Sequence, residues 1–131
     1  MSSERTVPPE KEVAHKNTIV IVEDSSACAY RHERRLSQSG MKVEIFRDLE
    51  QFSMFINNPK NAKKIQAVIT DGLEGDWVGV AKAAQEKQIT NVWLISGNSE
   101  FVKKGKSMNG IKSISKGEIE QKPEIYQEII E

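Results

Sequence analysis

Only one cysteine, Cys28, stands in the 131-residue chain. An internal disulfide framework is therefore excluded, and no CxxC or His/Cys cluster is present to hold zinc or an iron–sulfur centre. Charge of one sign is also missing: Lys and Arg total 19, Asp and Glu also 19, so no global field draws the chain to nucleic acid or an anionic membrane. No apolar run approaches the roughly 20 residues that span a bilayer. The opening MSSERTVPPEKEVAHKN lacks the apolar centre of a secretory signal. These absences lead us to expect a soluble, cytoplasmic protein whose partners are chosen by local chemistry.

What is present is an alternation. Residues 1–16 are polar, contain Pro8 and Pro9, show no periodicity, and read as a flexible N-terminal tail. From residue 17 to 131 the pattern is that of one domain. Strand-like runs occupy Thr18 to Val22, Lys42 to Phe46, Ile65 to Thr70, Asn91 to Ile95 and Ile111 to Ser115. Helix-length segments separate them. In LEQFSMFI the residues Leu49, Phe52 and Ile56 form an apolar stripe behind Asp48, an N-cap. Val78, Ala81 and either Ala84 or Gln85 give the third helix a shallow face. Ile119, Ile125, Ile129 and Ile130 make the last segment amphipathic, with Pro123 allowed only in an early turn. Between Ser26 and Ser39 the apolar pattern is sparse and RHERR crowds the middle, with Gly40 as the stop. Strands alternating with helices, several of them apolar throughout (IVIV, AVI, VWLI), indicate an α/β fold: a doubly wound, five-stranded parallel sheet covered on both faces.

In such sheets chemistry gathers outside the carboxyl ends of the strands. Glu23 and Asp24 follow the first strand and Asp71 the third. Ser96 and Gly97 follow the fourth, and Lys116 the fifth. Three converging carboxylates repel one another unless a cation neutralises them, and hard oxygen ligands suit Mg²⁺. A cation beside Asp71, with a lysine and a hydroxyl opposite, is suited to stabilising a transferring phosphoryl group, with Asp71 as nucleophile.

Residues 17–131 thus resemble the receiver domains of two-component response regulators, whose fold is flavodoxin-like. The acid pair matches Glu23-Asp24, the phosphoacceptor Asp71, the hydroxyl followed by a small residue Ser96-Gly97, and the strand-five lysine Lys116. The resemblance implies that Asp24 and Asp71 coordinate Mg²⁺ directly, that the backbone carbonyl of Leu73 completes the protein ligands, and that Glu23 acts through water. It further implies no turnover enzyme beyond self-catalysed phosphorylation and dephosphorylation of Asp71. The expected partners are a histidine kinase or histidine phosphotransfer protein and a downstream protein target. With the chain ending at Glu131 in the last helix, output is expected through docking or phosphate relay. The chain departs from the family pattern in the glycine-rich GLEGDWVG after the acceptor, in Gly117 where a proline usually follows the lysine, and in Ser113 where an aromatic usually stands.

Those departures keep an alternative open: a degenerate receiver acting as a phosphorylation-independent interaction module. An aspartate-nucleophile phosphatase usually wants an acid two residues past its nucleophile, where Leu73 stands. A nucleotide or flavin module would need glycines where EDSSA has acids. Lys60, Lys63 and Lys64, and Lys103, Lys104 and Lys106, read as solvated faces rather than a nucleic-acid site. Ser96 or Asn98 in SGNSE also reads as a helix cap. Trp93 reads as core, whereas Trp77 either shields the site or meets a partner. Cys28 and His32 receive no role, His32 being a solvated or core-edge residue.

Overall fold

The structure is a computed structural model that describes residues 16–131; the expected tail lies outside the described residues except for Lys16. Five strands form one sheet: β1 Thr18–Val22, β2 Lys42–Phe46, β3 Ile65–Thr70, β4 Val92–Ser96 and β5 Ile111–Ser115. All pair in parallel, in the order β2-β1-β3-β4-β5. Parallel neighbours need crossover connections, supplied by the intervening helices α1 Ser26–Ser37, α2 Leu49–Ile56, α3 Pro59–Ala62, α4 Trp77–Glu86 and α5 Ser99–Lys106, while α6 Lys116–Gln121 and α7 Ile125–Ile130 follow β5.

Side chains alternate across a strand, so the apolar run TIVIV feeds two cores at once. Val20 and Val22 point to one face, where Phe52 and Ile56 of α2, Trp77, Val80 and Ala84 of α4, and Leu94 join them. Ile19 and Ile21 point to the other, against Ala29 and Leu36 of α1, Ile119 of α6, and Tyr126 and Ile129 of α7. Burial on both faces explains why the central strands carry no alternation in hydropathy.

Local chemistry sets the boundaries. Asp48 caps α2 as expected, its carboxylate accepting the Gln51 N–H at 2.8 Å. The fourth strand begins one residue later than the pattern suggests, at Val92, and runs on through Ser96, which pairs with Ser115. Asn91 serves instead as a clamp: its amide donates to the carbonyls of Gln66 and Ile129, and its oxygen accepts the Trp93 indole N–H. The expected single C-terminal helix is two. Lys122 is forced out of the helical region (φ −128°, ψ 69°) by the proline that follows it, and Pro123 begins the turn into α7. In α4 the buried face is Trp77, Val80, Ala81 and Ala84, which decides between Ala84 and Gln85 and places Trp77 in the core at 1% exposure. Among the described residues no helix is long and apolar enough to cross a membrane.

The order reverses direction at β1, from which the chain builds β2 on one side and β3 to β5 on the other. The crevice at the carboxyl ends of β1 and β3 is the place where this topology admits a ligand. Phe52 is the largest fully buried side chain that α2 contributes to this core. Phe52→Ala is expected to cost about 4 kcal/mol of unfolding free energy, as measured by urea titration.

Candidate functional site

Register brings the acids together. Val22 pairs with Thr70, and the Asp71 N–H donates to the Val22 carbonyl at 2.8 Å, so Glu23 and Asp71 emerge side by side. Carboxylate oxygens of Glu23, Asp24 and Asp71 all lie within 4.8 Å of one another. Glu23 is buried, Asp71 half-buried and Asp24 exposed. The chain after Glu23 turns directly into α1, with Ser25 as N-cap accepting the Cys28 N–H and the Ser25 N–H donating to Glu23 Oε2 at 3.1 Å. Arg47, just past β2, donates to the Asp24 carbonyl at 3.2 Å.

Lys116 closes the cluster from the far side of β3. It is the first residue of α6, behind Ser115, whose hydroxyl caps that helix by accepting the Glu118 N–H. Its ammonium lies 2.9 Å from Asp71 Oδ1 and 3.2 Å from Glu23 Oε1. Glu23 Oε1 is buried, with that ion-pair contact but no hydrogen-bond partner among the described residues. The electrostatics follow. Burial and the Asp71 charge raise the Glu23 carboxyl above its ordinary value, although the Ser25 N–H and Lys116 oppose them. Burial alone would lower the Lys116 amine, but its hydrogen bond to Asp71 and the charges of Glu23 and Asp71 overcome that and hold it above its ordinary value.

One ammonium against three carboxylates leaves an uncompensated negative charge, and among the described residues Glu23 Oε1 has the Lys116 ion pair but no hydrogen-bond partner. Both features suit a hard divalent cation, which favours carboxylate and water oxygens. The residues present therefore fit the expected Mg²⁺, with Glu23, Asp24 and Asp71 as the available acids. Leu73 behaves as follows: its N–H donates to Asp71 Oδ2 at 3.2 Å, orienting the carboxylate, while its carbonyl accepts the Asp76 N–H at 3.0 Å in the short 3₁₀ turn Leu73–Gly75. Leu73 and Glu74 hold φ of 49° and 55°. Left-handed backbone at two residues that are not glycine stores strain, about 1–3 kcal/mol each, and the burial of the Leu73 side chain secures it.

Ser96 ends β4, 2% exposed, beyond the same sheet edge as Asp71 because Thr70 pairs with Leu94. Its Oγ accepts the Asn98 N–H at 3.0 Å, while Asn98, not Ser96, is the side-chain cap of α5. Gly97 leaves room beside the Lys116 stem. Ser113, on β5, donates to the Val102 carbonyl at 2.8 Å and ties α5 to the sheet edge.

Two residues without an assigned role adjoin the site. Lys116 Nζ is 3.5 Å from Cys28 Sγ. His32 is buried, its Nδ1 2.6 Å from the Tyr126 hydroxyl, which joins α1 to α7. The signal was in the spacing: Ala29, His32 and Leu36 recur at helical intervals and are the buried face of α1.

No protein-family model matches the chain, and no curated protein sequence matches it. Among solved structures, one described as a transiently phosphorylated "switch" in bacterial signal transduction superposes with a TM-score of 0.55 at 15% identity. The alignment covers 76% of this chain and 82% of that one. At that identity the likeness shows the fold: a flavodoxin-like α/β domain of receiver topology.

His32 supplies a pH test. Burial, then the charges of Lys116 and Arg31, push the imidazole down to about 4 against a smaller opposing pull from Asp71. Tyr126 faces it from α7 with a hydroxyl that burial raises to about 12, so it stays neutral throughout the acid range. An imidazole protonated more readily in the unfolded chain makes stability fall as pH drops from about 6.5 to about 4. The His32 share should approach 3 kcal/mol. Between about pH 6.5 and about pH 4 the urea midpoint of wild type should fall more steeply than that of His32→Gln, which has no imidazole to protonate; parallel curves would contradict this.

Proposed function

We propose that the chain is a phosphoacceptor receiver domain of two-component or phosphorelay signalling, phosphorylated on Asp71 with Mg²⁺ and signalling by protein docking. The observation that carries this reading is the Lys116–Asp71 ion pair at 2.9 Å, set inside a three-carboxylate cluster at the carboxyl edge of a parallel sheet. The fold neighbour's transient phosphorylation supports it in kind.

In this reading a phosphorylated imidazole on a histidine kinase or histidine phosphotransfer protein is the donor. An Asp71 oxygen attacks phosphorus. The O–P bond forms as the P–N bond breaks, and the departing imidazole takes up a proton. The Leu73 N–H keeps the carboxylate oriented, and Lys116 follows the charge from the carboxylate to the phosphoryl oxygens. The Ser96 hydroxyl is available at the same edge. A bound Mg²⁺, held by Asp24 and Asp71 with Glu23 through water, would neutralise charge on the transferring group. The Leu73 carbonyl, which accepts the Asp76 N–H, is the backbone oxygen that the receiver resemblance would give to the same ion. The chain acts on its own aspartate and turns over no other substrate.

The second reading is the phosphorylation-independent interaction module. It is favoured by the strained Leu73–Glu74 backbone and by Asp71 being already satisfied by Lys116 and Leu73. Intact mass after incubation with Mg²⁺ and acetyl phosphate separates the two. We expect one added phosphoryl group in wild type, none in Asp71→Asn, and at least a tenfold slower gain in Asp24→Asn. A wild type that stays unmodified, with acetyl phosphate and with a panel of kinases alike, would favour the interaction module.

A further inference from the structure

Gly72, directly after the acceptor, has no room for a side chain. A Cβ built there would lie 2.6 Å from Phe101 Cδ2 and 3.0 Å from Ser96 Oγ. The space is filled instead from across the crevice, by an aromatic ring that belongs to α5. That ring also faces Trp77, with centroids 6.4 Å apart. Phe101 and Ser96 thus both border the space beside Gly72, directly after the acceptor.

Phe101 is also wired to Ser96 through the backbone. Ser96 Oγ accepts the Asn98 N–H, and Asn98 Oδ1 in turn accepts the N–H groups of Glu100 and Phe101, at 2.9 and 3.1 Å. The first turn of α5 and the Ser96 hydroxyl are therefore linked by hydrogen bonds, and the ring at position 101 fills the space beside Gly72.

Building on the receiver reading, we infer that Phe101 is a positioning residue for the acceptor. It fixes the distance between the Asp71 turn and the Ser96 hydroxyl and seals that side of the site from water. Glycine at 72 and phenylalanine at 101 are a matched pair: a side chain at 72 displaces the ring, and loss of the ring frees Ser96 from the acceptor. Ser113 carries a hydroxyl committed to Val102, so the aromatic element of this crevice comes from α5 rather than from β5.

Two readouts test this. The first needs no phosphate: in the amide NMR spectrum of Phe101→Leu, which keeps an apolar side chain, and of Phe101→Ala, the resonances of Gly72 and Asn98 should move together, further in Ala than in Leu. Movement confined to α5 would overturn the proposal. The second is the acetyl phosphate reaction followed by mass. Gly72→Ala should slow phosphoryl gain at least fivefold. Adding Phe101→Ala to Gly72→Ala should recover most of that loss, while Phe101→Ala alone should shorten the lifetime of the phosphorylated form severalfold and Phe101→Leu less. A Gly72→Ala rate equal to wild type, or no recovery in a folded double variant, would overturn it. If wild type accepts no phosphate while Gly72 and Asn98 shift together, the receiver reading fails and the Phe101 coupling stands.

Discussion

Everything at the carboxyl edge of this sheet depends on one ammonium. Lys116 reaches over from the start of α6 to contact Asp71 and Glu23, and without it two carboxylates at the mouth of a largely apolar fold would face each other unpaired. Leaving a buried charge unpaired costs far more than an exposed pair returns. The arrangement is nonetheless incomplete, since among the described residues one ammonium serves three acids and one Glu23 oxygen has no hydrogen-bond partner. A site that is held together yet short of positive charge is suited to taking up a cation and exchanging the partner of its lysine.

The fold earns this geometry through register. Parallel pairing aligns Val22 with Thr70 and Leu94 with Thr70, so the residues that follow each strand come out along one edge. The two cores beneath hold that edge rigid, one built on Phe52 and Trp77, the other on Leu36 and Ile129. At this edge the strain sits in the turn after Asp71, where Leu73 anchors the left-handed backbone and orients the Asp71 carboxylate.

Much of this was legible in the residues alone. Continuous apolar runs marked the three central strands because both of their faces are buried, while the edge strands KVEIF and IKSIS were read from alternation, and Asp48 announced the start of α2 through its capping side chain. The acids, Ser96 and Lys116 could be placed at one edge because they follow strands directly. Other features depend on contacts distant in sequence. That His32 is buried follows from Tyr126, far along the chain, and that Gly72 has little room for a side chain follows from Phe101 lying across the crevice. Trp77 gave no sign of which side it faced until the turn before it was defined. The break at Lys122 and Pro123 was written in the proline, but a periodic isoleucine pattern on both sides obscured it.

The central claim is that this edge is a cation-assisted phosphoacceptor, and a crystal structure grown with Mn²⁺ in place of Mg²⁺ and with beryllofluoride as the phosphoryl mimic tests it most directly. The account predicts an anomalous peak among Glu23, Asp24 and Asp71, with beryllofluoride on an Asp71 oxygen, Lys116 turned toward its fluorines and Ser96 within hydrogen-bond reach. Ordered carboxylates with no manganese between them, and Lys116 still paired to a bare Asp71, would contradict it.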